Sequence, residues 1–203
     1  MKRQFFHCLV LASSLFPALT GCQSAMSTPS TPSEHESSDV SYSNVNAKWP
    51  LEFRVHYFGA HCFDTQECEI RYRGFPHGNK DGPSPSVASY GRPLEDLLSA
   101  GRGPIPNFPP PAEVTWRSKD GTSHEAEIDI GEIFKDQLIR HNVSHEDASD
   151  PATDGMPHII LEVNDRTINV YMRATMWLKQ PRFPERPLSD SQRDLIKVFS
   201  RTY

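Results

Sequence analysis

Cys62 and Cys68 stand close together in the chain, with His61 beside the first and His77 beyond the second. Two thiols so placed can oxidise to a disulfide, or the four side chains can ligate a metal. Their spacing fits no common zinc pattern, so the pair reads as a disulfide, with the His61, Cys62, Cys68, His77 metal site as the alternative. A second group of reactive types is Glu125, Glu127 and Asp129. Carboxylates two residues apart share one face of a strand. General acid/base work would need one of them desolvated and perturbed; otherwise they form a solvated sheet face, or one that meets a basic partner. His124-Glu125-Ala126-Glu127-Ile128 begins like the HExxH zinc helix, but Ile128 stands where the second histidine belongs, and His145-Glu146 fails the same way at Ser149. There is no G-x-S-x-G elbow, and Gly78-Asn79-Lys80-Asp81-Gly82 lacks the ending of a phosphate loop. The expectation is therefore a protein without catalytic residues, metal or cofactor; a hydrolase using the acidic face, or a small-ligand module at the cysteines, is the weaker reading.

The start of the chain sets the compartment. Lys2 and Arg3 precede an apolar run from Phe5 to Ala18, followed by Leu19-Thr20-Gly21-Cys22. This is the layout of a secretory signal, and its last four residues resemble the bacterial lipobox. The resemblance implies cleavage of residues 1–21, lipidation of Cys22 and anchoring by acyl chains; Gln23 after the cysteine implies the outer membrane, facing the periplasm. The apolar run falls short of the roughly 20 residues that span a bilayer. An oxidising periplasm in turn favours the Cys62–Cys68 bond. The full chain of 203 residues carries 21 basic and 26 acidic side chains. Loss of the signal makes it more acidic, which argues against a nucleic-acid partner.

Residues 22–48, rich in Ser, Thr, Pro and Glu, read as the lipidated cysteine and a flexible tether, and residues 49–203 as a single periplasmic domain. Within it, Leu51 to Tyr57 alternates as a half-buried strand, and Glu69 to Arg73 repeats the pattern. Glu113–Ser118 and His124–Ile130, joined through Asp120-Gly121, predict a hairpin with Trp116 in the core. Asp129 and Glu132 predict the cap of a helix over 131–141. Ile159–Val163 and Thr167–Trp177 predict a second hairpin, with Ile168, Val170, Met172 and Ala174 on one face. Ser189 and Gln192 predict the cap of a C-terminal helix whose apolar side is Leu195, Ile196 and Phe199. A short helix is possible over Pro93–Ala100. The fold class expected is α+β, predominantly antiparallel β, with about six strands and two or three short helices. The stretch from Gly74 to Pro111, dense in Gly, Pro and Ser, reads as irregular. It carries Tyr90, Arg92, Arg102 and Phe108, side-chain types favoured at interfaces, and long structureless connections are either functional or disordered.

Three strings, Phe58-Gly59-Ala60-His61-Cys62-Phe63-Asp64-Thr65, Asn107 to Asp136, and Ile160 to Met172, resemble bacterial lipoproteins of type VI secretion lipase immunity. That resemblance implies a protein inhibitor that waits in the periplasm and blocks a secreted phospholipase effector, with no catalytic residues of its own. The expected partner surface comprises Tyr90, Arg92, Arg102 and Phe108 together with the acidic face Glu125, Glu127 and Asp129. The alternative is an envelope scaffold lipoprotein that binds another outer-membrane component.

Overall fold

The computed structural model of the chain describes residues 48–78 and 81–203; the expected signal peptide, Cys22 and nearly all of the tether lie outside the described residues. The described part belongs to one compact unit. It runs β1 (Val55–Phe63), β2 (Thr65–Tyr72), β3 (Phe75–His77), a 3-10 turn (Val87–Tyr90), α1 (Leu94–Leu97), β4 (Arg102–Pro106), β5 (Ala112–Ser118), β6 (Ser123–Ile128), α2 (Ile130–Ile133), β7 (Ala148–Thr153), β8 (His158–Asn164), β9 (Thr167–Arg173), β10 (Met176–Leu178), β11 (Ser191–Gln192) and β12 (Leu195–Thr202). The described part is thus mostly β with two single-turn helices. The α+β expectation holds in that coarse form, but the described residues contain twelve strands, twice the number expected.

The strands form a five-stranded mixed sheet in the order β12-β9-β8-β1-β4, a four-stranded antiparallel sheet β3-β2-β5-β6, and a small sheet β11-β10-β7. Alternation places Cys68, Ile70 and Tyr72 of β2 and Val114 and Trp116 of β5 on one face. They share a core with Phe58, Leu161, Val163, Ile168, Val170 and Met172 of the five-stranded sheet, so the two larger sheets pack face to face. Trp116 is buried as expected, and its indole Nε1 donates to Asp165 O at 2.8 Å. β8 and β9 are buried on both faces through their middle five residues. That is the signature of central strands, and it requires a second cover on the far side of the sheet. Both expected hairpins form, with Glu113 opposite Glu127 and Ile160 opposite Tyr171. The second strand of the latter ends at Arg173, and β10 leaves for the small sheet.

Four expectations give way. The C-terminal segment is not a helix but β12, paired antiparallel with β9 from Leu195–Arg173 to Thr202–Thr167. An isolated helix of about a dozen residues is marginal in water. The strand instead gains a hydrogen-bond ladder along the edge of β9, and Ile196, Val198 and Phe199 suit it. Ser189 caps no helix there. Its hydroxyl accepts from Phe183 N at 2.9 Å and lies 2.7 Å from Arg186 O, closing the loop before the strand. The helix over 131–141 is one turn, α2. Asp129 caps it by accepting from Glu132 N, and the helix ends at Phe134, whose N–H donates to Ile130 O; Gln137 at φ 55° then turns the chain away. Gln137 O then accepts from Phe53 N, and Ile139 N donates to Leu51 O. The backbone pairing with residues 51–53 outcompetes further helix. The helix over 93–100 likewise shrinks to the single turn α1, and the stretch 74–111 is not structureless, since it contains β3, the 3-10 turn, α1 and β4.

Candidate functional site

The far side of the five-stranded sheet is covered by the segment that carries Tyr90 and Arg92. Leu98 and Ala100 bury against Phe63, Ile160 and Tyr171, with Val87, Leu94 and Leu97 packed around them. Ser86 starts this cover by accepting from Ser89 N, and Gly91 turns it at φ 61°. Arg173 of β9 clamps it, its guanidinium donating to Leu98 O at 3.1 Å and Glu95 O at 2.6 Å. Tyr90 and Arg92 face solvent, and the Tyr90 ring stands edge-on to Phe63 at 6.0 Å.

The same sheet face holds a buried carboxylate. Glu162 is 1% exposed. It accepts from Tyr171 OH at 2.7 Å, Asn169 Nδ2 at 2.9 Å and Asn164 Nδ2 at 3.1 Å. Three donors offset the cost of burying the charge. Burial and the neighbouring carboxylate hold the Tyr171 phenol well above its ordinary pKa, so it stays a donor.

Arg102 begins β4 at the sheet edge, with its guanidinium 4.1 Å from the centre of the Phe75 ring on β3. Phe108, by contrast, is half-buried, standing edge-on to Phe53 at 5.8 Å and tilted against His56 at 5.8 Å. It walls a buried histidine. His56 Nδ1 lies 2.9 Å from Asn107 Oδ1, and Nε2 lies 3.1 Å from Tyr72 OH. Because Asn107 Nδ2 donates to Phe53 O, its Oδ1 is the acceptor. His56 Nδ1 therefore carries the proton, and Tyr72 donates to Nε2. Burial pushes the imidazole pKa down to about 4, so both hydrogen bonds are made by the neutral ring.

The acidic residues lie on the outer face of the four-stranded sheet. Glu125 and Glu127 of β6 are exposed, while Asp129 spends one oxygen capping α2. Strand pairing extends this face beyond the three residues read from the sequence. Glu113 and Thr115 oppose Glu127 and Glu125, and Glu69 and Glu67 oppose Thr115 and Arg117. Arg71 and Arg117 bridge to Glu69 at 2.9 Å and Glu67 at 4.0 Å, leaving Glu113, Glu125 and Glu127 as excess negative charge. Glu113 was legible as the acid out of phase with Val114 and Trp116; its partner across the hairpin needed the register.

The candidate residues are not brought to one surface. Tyr90 and Arg92 lie over the far face of the five-stranded sheet, Arg102 sits against β3, and Glu125 and Glu127 are on β6, the opposite edge strand from β3. Cys62 and Cys68 form a disulfide, so neither sulfur is a thiolate for metal, and His61 and His77 lie on β1 and β3. The chain matches no family model, no curated protein and no solved structure in comparisons with known proteins.

Proposed function

We propose that this chain is a lipid-anchored periplasmic immunity protein that binds and inhibits a phospholipase effector delivered by type VI secretion. The observation that carries the reading is the outer face of the four-stranded sheet. It is a largely solvent-exposed ladder in which five glutamates face two arginines, suited to a partner with a basic surface. The Cys62–Cys68 disulfide agrees with an oxidising compartment. The ordered cover bearing Tyr90 and Arg92 offers a second contact whose ordering cost is already met. Inhibition is stoichiometric and steric in this reading, and no residue of the chain reacts.

The test is a pull-down of the chain against the product of its immediate genomic neighbour, with phospholipid hydrolysis by that product followed with and without the chain. Binding with loss of hydrolysis is expected. Reversing the charge with Glu125→Lys and Glu127→Lys should weaken binding at least tenfold, mainly through a slower on-rate. No binding, or binding indifferent to these substitutions and to joint replacement of Tyr90 and Arg92, overturns the assignment of surface.

A further inference from the structure

Pairing between β1 and β4 runs from Val55–Pro106 to Phe58–Arg102 and stops there. Beyond it, Gly59, Ala60 and His61 border a cleft of about 530 Å³ whose other walls are His77, Ser99, Gly101, Arg102 and Gly103. Gly59 makes this geometry possible. A Cβ there would sit 1.9 Å from Ser99 O, so only glycine lets the covering segment lie directly on the strand. His61 Nε2 lies within hydrogen-bond distance of the Ser99 backbone, 2.9 Å from its N and 2.8 Å from its O. Gly78, at φ +84° and tight against Cys68 O, turns the chain just after His77.

The chemistry of the walls is one-sided. Among the described residues they carry a guanidinium and two imidazoles and no carboxylate. Arg102 has no ion-pair partner among the described residues; its guanidinium is steadied instead over Phe75. The His77 ring stands edge-on to Phe58 at 5.1 Å, and its Nε2 is buried without a hydrogen-bond partner. The three groups also feel one another, since Arg102 and His61 both add to the burial that lowers the His77 pKa. A guanidinium without a carboxylate beside it, flanked by imidazoles that can donate an N–H, makes a site for an anion. A carboxylate is planar and is satisfied by one arginine fork, whereas donors converging from several walls suit a tetrahedral oxyanion.

We propose that this cleft binds a phosphate group, free or on a lipid headgroup, between the Arg102 guanidinium and the imidazoles of His61 and His77. The proposal is independent of the immunity reading.

The full chain, purified in detergent micelles, would be titrated calorimetrically with inorganic phosphate, and separately with phosphatidylglycerol and phosphatidylcholine vesicles. Saturable phosphate binding is expected, weakened at least tenfold by Arg102→Gln and by His77→Gln. Arg102→Lys, which keeps the charge but loses the fork, should fall between. Arg102 is exposed, so its variants should keep the wild-type unfolding midpoint in urea. Vesicle binding that is lost with the same substitutions identifies the headgroup as the source; phosphate binding without vesicle binding identifies the free ion. No saturable binding of either up to about 10 mM, or binding that survives Arg102→Gln, overturns the proposal.

Discussion

His56 makes the stability of this protein acid-sensitive, and the size of the effect follows from its surroundings. The ring is fully buried, hydrogen-bonded as the neutral tautomer by Asn107 and Tyr72, and enclosed by Phe53 and Phe108. Its folded pKa is about 4 against an ordinary 6.5. Above pH 6.5 both folded and unfolded chains hold it neutral, and it adds no pH dependence. Below that, the unfolded chain takes up a proton that the folded chain refuses until about pH 4, so stability falls as pH falls. At 1.36 kcal/mol per unit, the loss across this window is about 3 kcal/mol. Burial also lowers the pKa values of His77, His141 and His158, which act in the same direction, so the contribution of His56 must be isolated by difference. His56→Gln replaces a titrating donor–acceptor with a neutral one. The variant should lose about 1 to 2 kcal/mol at neutral pH from imperfect hydrogen bonding. It should then lose about 2.5 kcal/mol less than the wild type between pH 7 and about pH 4.5. Urea unfolding of residues 40–203, followed by tryptophan fluorescence, measures both numbers, because Trp116 is buried in the shared core. Parallel stability–pH curves for wild type and variant would refute the reasoning, as would an NMR titration of His56 near 6.5.

Other perturbations bear on separate parts of the structure. Replacing Cys62 and Cys68 by serine opens a short loop, and loop-closure entropy sets the loss at about 2 kcal/mol, read as a lower urea midpoint with unchanged slope. Tyr171→Phe removes the 2.7 Å donor to buried Glu162 and should cost about 2 kcal/mol; combined with Glu162→Gln the losses should be far from additive, which a double-mutant cycle in urea would show. Gly59→Ala drives a Cβ into Ser99 O and should destabilise by at least about 2 kcal/mol, with proteolytic cleavage appearing first in residues 87–101.

The hairpins were readable because each carried its own local signal. Strict alternation in Glu113–Ser118 and the turn dipeptide Asp120-Gly121 needed no tertiary information, and Asp129 before Glu132 marked a cap that forms. Helix length is not legible, for the opposite reason. Ile130, Ile133, Phe134 and Leu138 have helical spacing, yet the chain leaves the helix at Phe134, and residues 51–53 offer backbone partners to Gln137 and Ile139 just beyond it. At the C-terminus, Leu195, Ile196 and Phe199 fit a helical stripe and an edge strand equally well, and only the exposed ladder of β9 decides between them. Of the site residues, the acids of β6 were visible as alternation. Glu162 is not legible in this way, since one glutamate in an apolar strand announces nothing until Asn164, Asn169 and Tyr171 close on it.

The cover over the second sheet face shows how a segment poor in regular structure is nevertheless held in place. Each isolated turn in it, Val87–Tyr90 and Leu94–Leu97, is too short to persist alone. Order comes from outside: Leu98 and Ala100 fill the space above Ile160 and Tyr171, Arg173 takes two of its carbonyls, and His61 holds Ser99. Most of these anchors fall between Leu94 and Ala100, while Tyr90 and Arg92 sit just before them on backbone turned by Gly91. A proline follows Arg92 and removes further freedom. The two interface-type side chains are thus displayed on a scaffold whose conformational entropy was lost on folding rather than on docking. In the proposed immunity reading, the cost of association is then confined to side-chain rotamers and rigid-body freedom.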